Sequence, residues 1–274
     1  MMPVFIRSGN IQLTSYVALI ALAGIVTLLY FKRFEPRLGL AKREDFWFLM
    51  NVIGLSGFLG GRLFHLFSSP LAFPDFRSFV AALISNQTGL STFGAVLGVL
   101  AGAYYGCRSL KLNFLLVLDH VFLVIPVGHA IARLGCFLTG CCYGRAVEGS
   151  HAWSVVFTDP AAALPPELLG VPLHATQLYE AAGELLLGVM LYFLVLPSVG
   201  RGRFGSGLVC AAYFAGYGLL RFVIEFFRGN PELVRGTTVP LAQLFSLVMI
   251  SVAAVFLLLA AKLRPAAGQK ATVQ

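Results

Sequence analysis

The residues most able to do chemistry in this sequence are ionisable side chains that lie within otherwise apolar stretches. In LLRFVIEFFR, Arg221 and Glu225 are four positions apart, so on a helix they share a face and can form an ion pair. Arg133 stands in a second apolar stretch, and Glu180 and Glu184 stand in a third. An ionisable group in membrane hydrocarbon costs about 2.5–3.5 kcal/mol, so such groups are usually buried, paired and functional.

The types and positions of these groups indicate what they could bind. His174 and Gln177 stand one turn apart just before Glu180 in LHATQLYE, and the expected topology brings all three toward the same leaflet as Arg133 and Arg221. A guanidinium group donates paired hydrogen bonds to phosphate oxygens. The pattern therefore predicts a pocket for the phosphate of an anionic lipid. The alternative is a set of buried ion pairs that only fixes helix packing.

A cluster of three cysteines in ARLGCFLTGCCYGR is the second chemical feature. Cys136, Cys141 and Cys142 are expected in a glycine-punctuated turn outside the cytoplasm, where thiols tend to oxidise. A disulfide from Cys136 to Cys141 or Cys142 is one prediction, a thiol activated by a nearby arginine is another, and inert structural cysteines are the alternative. No metal is predicted, because only His151 or His174 could complete a zinc ligand set and the spacing matches no finger.

The elements that must position these residues are membrane-spanning helices. Of the 274 residues, 58% are hydrophobic and only 12% are charged, whereas a soluble domain carries about 25% charged residues. Disorder requires low hydrophobicity and high charge, so it is excluded as well. Five cysteines are too few for a disulfide scaffold. The composition therefore indicates a membrane protein.

The length of the apolar stretches predicts the fold, because a helix needs about 20 apolar residues to cross about 30 Å of hydrocarbon. Seven stretches are long enough, at 12–31, 45–67, 89–107, 113–134, 175–197, 205–227 and 238–261. We therefore predict an all-α polytopic membrane protein with about seven transmembrane helices and a single membrane-embedded domain over residues 1–274. Segment 136–174 is its one sizeable extramembrane piece, with a strand-like patch at 153–157. Glycine-rich faces in spans two and three predict close helix packing.

The net charge of +8 carries information on topology. Twelve of the Lys and Arg residues fall on one side of the predicted spans and five on the other, and cytoplasmic loops collect Lys and Arg. This asymmetry predicts an outside N-terminus, a cytoplasmic C-terminus and an outward-facing segment 136–174. Because the positive charge is explained by topology, no nucleic-acid partner is expected.

Taken in order, these pieces resemble the prolipoprotein diacylglyceryl transferase family. The resemblance runs through LTSY, GGRLF, GLSTFGAVLG, ARLGCFLTGCCYGR, LHATQLYE, LLRFVIEFFR and LAQLFSL, and so covers nearly the whole chain. It implies a multi-pass enzyme of the bacterial cytoplasmic (inner) membrane that needs no cofactor. Such an enzyme moves the sn-1,2-diacylglyceryl group of phosphatidylglycerol to the lipobox cysteine thiol of a prolipoprotein signal peptide. This transfer releases glycerol phosphate and begins lipoprotein maturation.

The resemblance also implies roles for individual residues, each carried by a motif. Tyr16 matches the span-one tyrosine of the family, and LLRFVIEFFR matches its RFxxEFFR motif. The remaining residues match two other family motifs. ARLGCFLTGCCYGR matches the family signature GRxGNFxNxExxGR, and LHATQLYE matches the family segment HPSQLYE. The implied catalytic residues are Arg133, Arg221, Glu225 and Tyr16. The implied substrate-binding residues are Arg133, Gly144, His174, Gln177 and Glu180, with Tyr179 in the same segment.

The chain also departs from the family motifs. Phe93 stands where the family motif HGGLIG has its histidine, and Cys136, Thr139 and Cys141 stand where the signature has two asparagines and a glutamate. We therefore expect a divergent, cysteine-rich member, in which the group that replaces the histidine is undetermined. Two alternatives to lipoprotein transfer follow. One is an outward-facing thiol redox or thiol-modifying protein that reuses the lipid pocket, and the other is a non-catalytic lipid-binding protein.

Overall fold

The structure is a computed structural model that describes residues 4–8, 11–38, 40, 42–68, 75–84, 91–149, 151–201, 203–234 and 236–263. This part of the chain is mainly helical, which confirms the predicted all-α class. The longer helices are α1 (Ser15–Phe34), α2 (Arg43–Ser68), α4 (Thr92–Leu110), α5 (Phe114–Thr139), α6 (Thr176–Met190), α8 (Leu208–Glu225) and α9 (Leu241–Lys262). The shorter ones are α3 (Phe76–Ile84) and α7 (Leu196–Gly200), and a π-helical turn, Leu191–Val195, joins α6 to α7.

Six helices of the described residues are long and apolar enough to cross a membrane. They are α1, α2, α5, the continuous run Thr176–Gly200, α8 and α9, and each overlaps a predicted span. The remaining predicted span, 89–107, is also helical as α4. Helix α4 contains two tyrosines, an arginine and four glycines among its apolar residues. Multi-pass membrane character is therefore confirmed.

Within the described ranges, two short antiparallel ribbons accompany the helices. One pairs β1 (Val4–Ser8) with β2 (Ile11–Thr14), just before α1. The other pairs β3 (Ser154–Val156) with β4 (Pro172–His174), which confirms the strand-like patch predicted at 153–157. Between α5 and α6, a small apolar core closes around the buried side chains of Tyr143, Phe157 and Leu173.

The C-terminal end of α5 differs from the prediction. The helix continues to Thr139, so Cys136 lies in its last turns rather than in the turn that follows. The helix ends at Gly140, whose φ of +79° is the left-handed conformation that glycine adopts after a helix C-terminus. Only Cys141 and Cys142 of the cysteine cluster are therefore in the turn itself.

The described chain divides into two compact units, Met1–Arg33 with Asp119–Gln274, and Phe34–Leu118. In the first unit, α1 runs antiparallel to α5. The hydroxyl of Tyr30, late in α1, lies 3.1 Å from Nδ1 of His120, early in α5. At the other end of the pair, a methyl group placed on Gly135 would lie 3.2 Å from the Cα and ring of Tyr16. The prediction of a single domain over 1–274 stays a prediction.

A buried carboxylate sets the register of α8 against α5. Asp119, early in α5, accepts hydrogen bonds from the backbone N–H groups of Gly207 and Cys210, at 2.7 and 3.0 Å. A negative charge is favourable at the N-terminus of a helix, so Asp119 anchors the start of α8. Arg133 and Arg221 each come fourteen residues after this junction, which is about 21 Å along either helix. The two arginines therefore reach the same level.

The second unit is built on close packing of α2 and α4. A methyl group on Gly60 would overlap the backbone oxygen of Gly94, and one on Gly98 would overlap the backbone oxygen of Ser56. Small residues let two helix backbones approach in this way, so the predicted glycine packing is confirmed. Phe93 lies in this unit, with its ring 5.8 Å from that of Phe64.

Candidate functional site

The candidate site is centred on the buried carboxylate of Glu180, in the second turn of α6. Its Oε1 atom lies 2.6 Å from Nη2 of Arg133 on α5 and accepts a hydrogen bond of 3.2 Å from the hydroxyl of Tyr217 on α8. The Glu180 side chain is 1% exposed and that of Arg133 is 13% exposed. Three helices therefore meet at one carboxylate, and the structure brings together the Arg133 and Glu180 side chains that the sequence singled out.

A second buried ion pair lies beside the first. Nη1 of Arg221 is 2.6 Å from Oε2 of Glu225, one turn later on α8, and the Glu225 side chain is 1% exposed. The guanidinium groups of Arg221 and Arg228 also act electrostatically on Glu180. Three arginines from α5, α8 and the segment after α8 therefore converge on one region.

Two further residues join this network that the sequence did not assign to the site. Nδ1 of His129 lies 2.5 Å from Oε1 of Glu184, and its Nε2 lies 3.7 Å from Oε1 of Glu180. His129 is four residues before Arg133, and Glu184 is four residues after Glu180. Residues four apart share a helix face. This spacing was the signal that could have identified both residues from the sequence.

The turn after α5 is tied through its backbone to α6 and to the segment after α8. The carbonyl oxygen of Cys141 accepts a hydrogen bond of 2.7 Å from Nε2 of Gln177. The carbonyl oxygen of Cys142 accepts one of 2.9 Å from the Thr176 hydroxyl and one of 3.2 Å from Nη1 of Arg228. We call the turn after α5, residues 140–144, the signature turn. Gln177 fixes this turn with its amide nitrogen. The buried Oε1 atom of Gln177 has no hydrogen-bond partner in the described protein.

The cysteine cluster is compact. The sulfur atoms of Cys136, Cys141 and Cys142 all lie within 4.8 Å of one another, and each is a free thiol. A disulfide from Cys136 to Cys141 or Cys142 stays a prediction, and the structure adds that all three sulfurs group together. Hydrogen bonds from the Cys136 and Cys141 thiols, together with the charges of Arg133 and Arg228, lower the pKa of the Cys142 thiol.

Gly144 occupies a position that no larger residue fits. Its N–H donates to the carbonyl oxygen of His174 at 3.1 Å, and a methyl group on it would lie 2.5 Å from Cβ and from that oxygen of His174. The His174 ring faces Tyr179 and Phe227, with its Nδ1 3.1 Å from the Tyr179 hydroxyl. Partial burial and the charge of Arg145 lower the pKa of His174. His174 thus supports the signature turn through its backbone, and its ring is not part of the arginine network.

Tyr16 lies at the edge of the same region. It begins α1, is 40% exposed, and packs against α5 at Gly135, between Arg133 and Cys136 along that helix. Arg133 and the three clustered cysteines lie close enough to interact electrostatically with the Tyr16 hydroxyl. The structure therefore places every sequence-predicted site residue in the first compact unit and around the C-terminal end of α5.

The arginines keep donors that the protein itself does not use. Nε of Arg133 and Nε of Arg228 are buried and have no hydrogen-bond partner in the described protein. Buried polar atoms are rarely left unpaired, so such atoms in a native site call for a ligand or water. An arrangement of guanidinium groups with free N–H donors is suited to bind the oxygens of a phosphate.

Comparison with known proteins agrees with this geometry. The family model described as prolipoprotein diacylglyceryl transferase matches residues 3–259. The phosphatidylglycerol–prolipoprotein diacylglyceryl transferase of Geobacter sulfurreducens is 35% identical over 232 residues, which cover 82% of this chain and 82% of the relative. The enzyme of the same name from Azospirillum brasilense is 34% identical over 275 residues, covering 97% and 96%. With a family match over almost its whole length, this chain belongs to the prolipoprotein diacylglyceryl transferase family.

Proposed function

We propose that this protein is a membrane transferase that moves the sn-1,2-diacylglyceryl group of phosphatidylglycerol to the lipobox cysteine of prolipoproteins, the first step of bacterial lipoprotein maturation. Its family and the names of its relatives support this activity. The observation that carries the proposal is the convergence of Arg133, Arg221 and Arg228 near Glu180, with buried guanidinium donors still unpaired.

The reaction itself explains why cationic groups are needed. The sulfur of the acceptor cysteine forms a bond to the glyceryl C3 carbon, and the bond from that carbon to the phosphate oxygen breaks. Its electron pair leaves with glycerol phosphate, and the thiol proton passes to a base. The phosphate gains negative charge as the bond breaks, so preorganised donors aimed at it stabilise the transition state more than the ground state.

The contacts of each residue suggest its role. Glu180 and Glu225 each hold one edge of a guanidinium group, which orients Arg133 and Arg221 and leaves their other N–H groups for the phosphate. Tyr16, half exposed beside Arg133, is positioned to meet the headgroup. Arg133 and Arg221 thus bind the phosphodiester, and the two carboxylates are positioning residues.

The remaining binding residues shape the signature turn. Gly144 lets this turn approach β4, His174 accepts its N–H group, and Gln177 holds the Cys141 carbonyl. These contacts place the turn next to the arginines. A signal peptide that brings its lipobox cysteine to the turn would therefore meet the phosphate-binding groups directly.

We also infer a location in the bacterial cytoplasmic membrane, with the N-terminus outside and the C-terminus in the cytoplasm. The excess of Lys and Arg on one side of the spans supports this orientation. The antiparallel α1 and α5 and the parallel α5 and α8 agree with spans one, four and six of such a topology. The site then lies at the outer leaflet, where secreted precursors emerge.

The test is a transfer assay with purified protein, phosphatidylglycerol vesicles and a synthetic lipobox peptide, read as the mass of the thioether product. We expect product from the wild type and none from Arg221→Ala, which should still insert because alanine is easier to insert than arginine. Arg201→Ala, an exposed change at the other end of the bundle, is the matched control. A well-expressed wild type that forms no adduct would refute the proposal.

The departures from the family signature are tested in cells that are depleted of their own transferase. The native chain is expected to restore growth and lipoprotein maturation. A variant with Cys136→Asn and Cys141→Glu, which restores the family residues, is the comparison. If only the restored variant rescued the cells, the native chain would have left the family reaction.

A further inference from the structure

We propose that Cys136, Cys141 and Cys142 together bind one thiophilic metal ion, such as Zn²⁺ or Cu⁺, as a three-thiolate site. The sequence argued against zinc because only His151 or His174 could complete the ligand set and the spacing matches no finger. The structure joins one sulfur from the last turns of α5 with two from the turn after it. This inference does not depend on the transferase proposal, because metal binding is measured without lipid or peptide.

The spacing of the sulfurs fits such an ion. All three sulfur atoms lie within 4.8 Å of one another. A metal bound in their plane at about 2.3 Å from each would hold them about 4 Å apart, so the site closes with shifts below about 1 Å. Thiolate ligands select soft ions such as Zn²⁺ and Cu⁺ over Mg²⁺ or Ca²⁺.

Independent contacts hold the cysteine backbone in this arrangement. Cys142 has a left-handed φ of +59°, and with Gly140 it turns the chain back toward Cys136. The carbonyls of Cys141 and Cys142 are then fixed by hydrogen bonds from the first turn of α6 and from Arg228. Outer contacts of this kind orient the ligands of metal sites and affect metal affinity. The sulfurs are therefore positioned before any ion binds.

The surroundings also favour thiolate ligands. The guanidinium group of Arg228 lies beside the cluster, where its Nη1 donates a hydrogen bond of 3.2 Å to the carbonyl oxygen of Cys142. Three thiolates with one divalent ion carry a net negative charge, which neighbouring cations stabilise. The other two cysteines of the chain, Cys107 and Cys210, are buried and lie outside this cluster.

The experiment uses the full-length protein in detergent micelles, reduced with a phosphine, stripped with a chelator and titrated with Cd²⁺. We expect thiolate-to-cadmium charge-transfer absorption that saturates at one ion per chain and is reversed by excess chelator. The triple variant Cys136→Ser, Cys141→Ser, Cys142→Ser should lose this absorption. Cys210→Ser is the matched control and should bind like the wild type.

A variant that changes only a supporting hydrogen bond distinguishes a preorganised metal site from thiols that are close together by chance. Thr176→Val keeps all the sulfurs and removes the hydroxyl that holds the Cys142 carbonyl. We expect its Cd²⁺ affinity to fall by about 10–100-fold, as for other lost outer contacts. An unchanged affinity in Thr176→Val would contradict the claim that these contacts preorganise the site.

A measurement on the wild type alone removes any dependence on folding of the variants. Cd²⁺ should protect Cys136, Cys141 and Cys142 from alkylation, as read peptide by peptide in a mass spectrometer. No saturable absorption in the reduced wild type, or equal absorption in the triple variant, would overturn the proposal. A Cys136–Cys141 or Cys136–Cys142 disulfide in protein purified without reductant would overturn it as well.

Discussion

Replacing Glu180 by glutamine removes the charge on which Arg133 depends while keeping the size of the side chain. Oε1 of Glu180 is 2.6 Å from Nη2 of Arg133, and both side chains are mostly buried. At an effective dielectric constant of 20, a pair at this distance attracts by about 6 kcal/mol before the cost of desolvation. Removing one partner of a buried pair typically costs about 3–5 kcal/mol, because the other charge is left without compensation.

We therefore expect Glu180→Gln to lower the free energy of unfolding by about 3–5 kcal/mol. The double variant Arg133→Met, Glu180→Gln leaves neither charge behind. Its loss of unfolding free energy should be smaller than the sum of the losses in the two single variants. The difference, which is the coupling free energy between the two residues, should be up to about 3 kcal/mol. Both single variants should lose transferase turnover, since Arg133 is then missing or misplaced.

The assay is reversible unfolding in mixed micelles of mild and denaturing detergent, followed by circular dichroism, with turnover of labelled phosphatidylglycerol measured in parallel. Glu167→Gln, on the exposed segment between β3 and β4, is the matched control and should change stability by less than about 0.5 kcal/mol. A cost below about 1 kcal/mol for Glu180→Gln, with additive effects in the double variant, would refute the reasoning.

Three further experiments test other parts of the site. Arg221→Lys keeps the charge beside Glu225 but loses the forked donor, so turnover should fall about 10–150-fold with little change in melting temperature; normal turnover would exclude phosphate binding by Arg221. Gly144→Ala puts a methyl group 2.5 Å from His174 and should cost about 1–3 kcal/mol in unfolding free energy, whereas Gly24→Ala, which meets nothing within 4 Å, should be neutral. Because the pKa of Cys142 is lowered, its alkylation rate should fall less steeply from pH 8 to 6 than that of an ordinary thiol, which slows about tenfold per pH unit; an ordinary slope, measured by mass spectrometry, would contradict the lowered pKa.

Local features of the sequence predicted the membrane-spanning helices, one buried ion pair and the family. The lengths of apolar stretches predicted helices because bilayer thickness sets a minimum length for each span. Spacing along one helix predicted the pair of Arg221 and Glu225, since residues four apart share a face. The motifs also pointed to the family that the comparisons show. The predicted end of α5 was wrong because apolar length marks a membrane span, and a helix can continue past it to Gly140.

Contacts between distant parts of the chain were decided only by the tertiary structure. The meeting of Arg133, Glu180 and Tyr217 depends on the register of three helices, and Asp119 sets part of that register by anchoring α8. The approach of three sulfurs depends on the left-handed turn at Cys142. Sequence alone identified the arginines, carboxylates and thiols and their order. Packing decided which of them touch, because that depends on helix rotation and height, which no single stretch of sequence encodes.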